Sequence, residues 1–180
     1  MDKVVFSSLQ QAYDTFTKSR KYIQASLEGE KKSFKEMLIL KDILSSQKFS
    51  PWFEKNMRRI LGLSRSFDTN YDAYDEFYAQ HVEFKHATLL GDGYSFPQLI
   101  RAGLEPEYVI VLFHNDAVTV IRIPPGIIEK SVLAKSGAQA HFSNKKEKRV
   151  SVKLGSPEMR FLERFRDRNL ERKLKRASFY

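Results

Sequence analysis

The segment Asn70-Tyr-Asp-Ala-Tyr-Asp-Glu-Phe-Tyr-Ala-Gln-His-Val-Glu-Phe-Lys-His86 holds the densest chemistry in the chain. Residues i and i+2 of a strand share a face. Glu83 and Lys85 therefore project together, with His81 beside them, while Val82 and Phe84 turn to a core. Asp72 lies on a preceding stretch that a hairpin brings alongside Glu83. Two adjacent carboxylates repel unless a positive charge sits between them. Oxygen ligands of this kind suit Mg²⁺, which keeps several waters and favours phosphate oxygens. A lysine beside such an ion can orient an attacking water, hold a phosphate, or stabilise charge developing on phosphoryl oxygens. Glu-x-Lys alone says little, because it also occurs at Glu30 and Glu171 within charged, helical stretches. Only the middle copy sits in an alternating strand, behind an Asp and ahead of a continuous apolar run.

The elements that must position these residues can be read from hydrophobic period and caps. Val5, Leu9, Ala12, Phe16, Ile23 and Leu27 form one helical stripe. Ser33 with Glu36 reads as a capping box opening a second helix that carries Phe34, Met37, Leu38, Ile43 and Leu44. Ser50-Pro51 reads as a third helix start, with Trp52, Phe53, Met57, Ile60 and Leu61 behind it and Gly62 at its end. The period then changes. Two strands are expected at Phe67–Tyr74 and Gln80–Ala87, and a loop at Gly91–Gly93. A short helix is expected over Phe96–Leu104, followed by a buried strand at Tyr108–Phe113. A tight turn at His114–Asp116 leads to a strand at Ala117–Ile123, and a short helix falls around Gly126–Leu133. Gln139–Phe142 and Arg149–Leu154 are expected to pair as a hairpin. Ser156-Pro157 opens a last helix with Met159, Leu162, Phe165 and Leu174 on its inner stripe. This order describes a mixed α/β fold in one domain, 1–180. Its parts are a helical region 1–62, a sheet core 63–125, and a hairpin with a basic helix over 126–180.

The run Tyr71-Asp72-Ala73, a hairpin, then Val82-Glu83-Phe84-Lys85-His86-Ala87 resembles the PD-(D/E)xK nuclease signature, and most of all that of small type II restriction endonucleases. The likeness extends in element order over roughly residues 50–125. It takes in the Gly-rich loop, Tyr94-Ser-Phe96-Pro-Gln98-Leu-Ile-Arg101, and the strands ending at Ile123-Pro124. The resemblance implies a restriction-endonuclease-like core, a central mixed sheet flanked by helices. It makes Asp72 and Glu83 metal ligands, completed by the backbone carbonyl of Phe84, and places Lys85 near the attacking water. Glu54, on the helix before the sheet, resembles an accessory acid of some members. On its own it reads as an ordinary solvated helix charge. Tyr71 stands where the family's pattern has Pro, and Asp75 competes with Asp72 as the first carboxylate. His86 points with Phe84 and reads as structural. His81 reads as a hydrogen-bonded bystander that could touch a phosphate.

Composition sets the outer limits. The 180 residues carry 31 Lys+Arg against 22 Asp+Glu, for a net charge of +9, with no cysteine. Lack of cysteine excludes disulfide scaffolds, thiol nucleophiles and Cys-ligated zinc. No Gly-rich phosphate loop, Ser–His–Asp order or His-rich zinc spacing is present. No apolar run reaches the ~18 residues of a membrane span and no signal-peptide core is visible, so a cytoplasmic protein of prokaryotic or phage type, with no membrane partner, is expected. Of the net charge, +8 lies between Lys145 and Tyr180. That excess suits a polyanion, here double-stranded DNA. Gln98, Arg101, Lys145, Lys146, Lys148 and Arg149 are candidate DNA contacts, with solvated turn or helix roles as their alternative. The expected activity is Mg²⁺-dependent (Mn²⁺ substituting) endonucleolytic cleavage by a type II, site-specific homodimer. A repair, recombination or homing nuclease of the same fold and a non-catalytic basic DNA-binding protein are the rival readings.

Overall fold

The computed structural model describes residues 31–97, 100–101, 105–115, 117–135, 139–140 and 149–180. The expected first helix, Val5 to Leu27, lies outside them. Helix α1 (Phe34–Ile43) begins at the expected capping box: Ser33 Oγ accepts from Glu36 N–H, and the Glu36 carboxylate accepts from Ser33 N–H. Met37 and Leu40 face the core, whereas Ile43 is exposed.

Helix α2 (Ser46–Leu61) starts earlier than Ser50-Pro51 suggested, and Pro51 lies within it. Proline there forfeits one backbone hydrogen bond. The helix persists through it because Phe49 and Phe53, stacked 5.3 Å apart, are buried on either side. Gly62 ends it, as expected, at a left-handed φ of +74° that favours glycine.

The sheet has seven strands: β1 (Ser64–Arg65), β2 (Ala73–Asp75), β3 (Gln80–Leu90), β4 (Gly93–Pro97), β6 (Glu107–His114), β7 (Ala117–Ile123) and β9 (Arg149–Lys153). A separate pair joins β5 (Ile100–Arg101) to β8 (Gln139–Ala140), in parallel. In the main sheet β3 and β6 are parallel, and the other pairings are antiparallel. One edge of β3 is covered by β6 from Val82 to Thr88. Its other edge is shared: β2 pairs it only as far as Val82, and β4 only from Leu89.

Successive residues of β6 separate two cores. Val109, Val111 and Phe113 join Val82 and Phe84 beneath α2. Tyr108, Ile110 and Leu112 join Ala87, Tyr94 and Phe96 on the opposite face. The first face is also covered by α5 (Arg168–Arg176) through Leu170 and Leu174. The second is covered by α4 (Pro157–Glu163) and by a 3₁₀ turn (Ile128–Lys130) leading into α3 (Val132–Lys135). The architecture is mixed α/β, an open sheet with helices on both faces.

Further expectations need correction. Phe96 and Pro97, expected to open a helix, instead end a strand: Tyr94 and Phe96 alternate with Ser95 and both are buried, a period of two. Among the described residues, Gln139–Ala140 and Arg149–Lys153 do not pair with each other. β9 joins β4, where Val152 packs with Tyr94 and Phe96. The last helix is two, because residues 164–167 leave helical geometry to bond the outer edge of β7. Arg122 N–H donates to the Phe165 carbonyl, and Asp167 N–H donates to that of Val120. The exposed sheet edge is thereby closed. Strand β2 is also shorter than expected, starting only at Ala73. Among the described residues no helix is long and apolar enough to cross a membrane.

Candidate active site

The β2–β3 hairpin is fixed by its turn. Asp75 Oδ1 accepts from the N–H groups of Phe77 (3.0 Å) and Tyr78 (3.1 Å), and Ala79 takes a positive φ of 51°. Asp75 is thus a buried turn-former. The register that follows pairs Ala73 with Val82. One step further sets Asp72 opposite Glu83.

Asp72 stands where the β2 ladder ends, and its side chain does what the next strand residue would have done. Oδ2 accepts from Phe84 N–H at 2.8 Å. The Arg58 guanidinium anchors the same residue by donating to its carbonyl at 3.0 Å. In an extended strand the N–H and C=O of one residue leave on the same side. The Phe84 carbonyl therefore emerges on the same open edge as Asp72.

Glu83 is almost fully buried, with 1% of its side chain exposed, and Lys85 Nζ donates to its Oε1 at 2.6 Å. A buried carboxylate is tolerated only when paired. Glu54 approaches from α2 and is half-buried. Burial first, then the charges of Asp72 and Glu83, push its carboxyl up to about 7, against smaller opposing effects from Arg58 and Lys85. A helix, a loop end and a strand thus bring three carboxylates and one lysine together at the open edge of β3. Glu54 is part of this cluster and not a solvated helix charge.

No protein-family model matches the chain, and no curated protein matches it significantly.

The two histidines separate as expected. His86 lies on the Phe84 face, edge-on to Phe49, Phe53 and Phe113, and its Nε2 is 2.8 Å from Ser50 Oγ. Burial, with Lys41 and Lys85 nearby, holds it down to about 4, so it is a neutral packing residue near pH 7. His81 stacks on Tyr71 with ring centroids 4.1 Å apart and lies 3.3 Å from Ser66 Oγ. Arg58 was not anticipated, although its spacing of four from Glu54 puts both on one helix face. Of the candidate DNA contacts, Gln98, Lys145, Lys146 and Lys148 lie outside the described residues. Arg101 belongs to β5 and Arg149 opens β9.

Among the described residues no three His, Asp or Glu side chains form a metal-holding group. Mg²⁺ does not require one, since it takes one or two carboxylates and keeps most of its waters. Asp72, Glu83 and the Phe84 carbonyl have that donor chemistry. The Glu54 carboxyl is pushed up first by burial and then by the Asp72 and Glu83 charges, and a positive charge at this edge would offset the second part.

Proposed function

We propose that this protein is a Mg²⁺-dependent endodeoxyribonuclease with a restriction-endonuclease-like core, acting on double-stranded DNA as a type II site-specific enzyme. The observation that carries this reading is the gathering of Glu54, Asp72 and Glu83 at the open edge of β3, with Lys85 paired to Glu83, from a helix, a loop end and a strand in an order that resembles the PD-(D/E)xK signature.

Asp72, Glu83 and the Phe84 carbonyl would hold the ion, which supplies charge neutralisation at the phosphate and a more acidic bound water. The protein's own groups do the rest. Lys85, mostly buried, places a fixed ammonium where negative charge grows on the phosphoryl oxygens. Glu54, at the same edge, is the carboxylate that can take a proton from water. Water oxygen adds to phosphorus in line, the bond to the leaving oxygen breaks, and that oxygen takes up a proton. Cutting both strands at one site favours a symmetric homodimer, and a restriction role places the protein in a prokaryotic cytoplasm.

The test is digestion of phage DNA by the full chain with Mg²⁺, with EDTA as control. Discrete fragments are expected, and Lys85→Ala should slow cleavage by about 10²–10³-fold, the scale of losing one charge-stabilising group. Undiminished cleavage by that variant would remove Lys85 from the mechanism. Smeared products would point to a repair-type nuclease. Binding in EDTA without cleavage under any metal would point to a non-catalytic protein.

A further inference from the structure

The open edge of β3 continues past the carboxylates as a cavity of about 430 Å³, whose lining includes Glu54, Lys85, Ser50, Gln47, Thr88 and Lys41. Helix α2 runs along it opposite in direction to β3. Glu54 senses Glu83 and Lys85, Ser50 bonds His86, and Ser46 and Gln47 lie beyond. From Lys85 to Thr88 is three strand residues, on the order of 10 Å. The groove is therefore longer than the carboxylate cluster that occupies one end.

Its far end has the opposite character. Lys41, on α1, places Nζ 5.6 Å from the ring centre of Phe49 and 5.7 Å from that of Phe113. Phe113 is the register partner of Thr88, which sets Lys41 at the Thr88 end. Among the described residues Lys41 makes no salt bridge. Its ammonium rests on aromatic faces, and burial, only partly opposed by the Asp42 charge, holds it below the ordinary lysine value. Thr88 Oγ1 is buried there without a hydrogen-bond partner. A buried hydroxyl lacking a partner is costly. Glu54, at the other end, is the only acidic side chain among the described residues that line the cavity. An underpaired cation and an unsatisfied hydroxyl at one end of a narrow groove are the complement of an anionic oxygen.

We propose that Lys41 and Thr88 form a second phosphate subsite, which holds a phosphate flanking the scissile one on the same nucleic-acid strand. The identity of the strand rests on the nuclease reading, whereas the anion subsite does not. The groove then accommodates one backbone, cut at the Glu54–Lys85 end and gripped at the Lys41 end. Lys41 is a positioning residue with no part in the bond-breaking step.

The experiment titrates inorganic phosphate into the isotope-labelled full chain in EDTA and follows backbone amide shifts. Saturable shifts should centre on Lys41, Gln47 and Thr88, be weakened at least fivefold in Lys41→Gln, and be restored in Lys41→Arg. Shifts elsewhere, or shifts indifferent to Lys41→Gln, would overturn the subsite. A Lys41→Gln chain that fails to fold would be recognised by its collapsed amide dispersion, and the decision then passes to Lys41→Arg against Lys41→Met. Phosphate binding lost in Lys41→Met and kept in Lys41→Arg supports the proposal, and equal behaviour overturns it. DNA cleavage is measured separately. Lys41-dependent phosphate binding with no cleavage would leave the subsite standing and bring down the nuclease reading alone.

Discussion

Glu54 and Glu171 are both carboxylates on helices packed against the same face of the sheet, yet their surroundings drive them in opposite directions. Burial raises Glu171, but this is outweighed by hydrogen bonds. Arg166 donates to both of its oxygens, at 2.8 and 3.0 Å, and Val120 N–H donates at 3.1 Å, which leaves the carboxyl below its usual range. Glu54 meets burial and two more carboxylates, with Arg58 and Lys85 only partly offsetting them, and rises to about 7. Glu107 repeats the saturated pattern, accepting from Arg122 and from Gln80 Nε2. The fold satisfies its carboxylates where they tie elements together. Among the described residues, negative charge gathers without saturating partners where β2 stops and the edge of β3 lies open. Perturbed carboxyls of that kind gather where chemistry is done.

The comparison predicts two different kinds of loss. Glu83→Ala should reduce Mg²⁺-dependent DNA cleavage by about 10³-fold, a transition-state loss of about 4 kcal/mol, and a steady-state cleavage assay reads this directly. Glu171→Ala should leave the chemistry intact and destabilise the fold. It removes an ion pair and a cap on the β7 backbone, for which about 2–3 kcal/mol is reasonable given the partial exposure of Arg166. At this chain length that lowers Tm by roughly 4–12 °C. If Glu83→Ala mainly lowers Tm and Glu171→Ala mainly lowers cleavage, the division between the two clusters is wrong.

How much of this could be read in the sequence depends on the range of the signal. Local signals served well: the Ser33–Glu36 box, the Gly62 stop, the strand Ala117–Ile123, and the Glu83–Lys85 alternation with His86 turned to the core. Errors arose where distant partners decide. Pro51 reads locally as a start, but Phe49 and Phe53 carry the helix across it. Nothing near Arg149 says that β9 belongs beside β4, and nothing near Arg164 says that the chain there will close the edge of β7. Within the site, the hairpin arithmetic that sets Asp72 beside Glu83 is local, and Asp75 two residues before Phe77 is a common turn-former. The place of Glu54 in the cluster is tertiary. It depends on how α2 lies across the sheet.

The smallest predicted effect tests that tertiary placement through pH. The raised Glu54 pKa means the folded chain holds a proton that the unfolded chain has released between about 4.5 and 7, so its contribution makes stability fall as pH rises across that window. The lowered His86 pKa acts in reverse. Between about 4 and 6.5 the unfolded chain binds the extra proton, so stability rises with pH. The two slopes oppose each other over most of this range, and urea-unfolding stability of the wild type in EDTA should change little from pH 4.5 to 6.5. Glu54→Gln removes only the falling component and should reveal a rise. Mg²⁺ held by Asp72 and Glu83 would lower the Glu54 pKa and move the wild type toward the same rising profile. A variant whose pH profile coincides with that of the wild type would mean that Glu54 is solvated after all, and that the carboxylate excess at the open edge of β3 is smaller than its geometry implies.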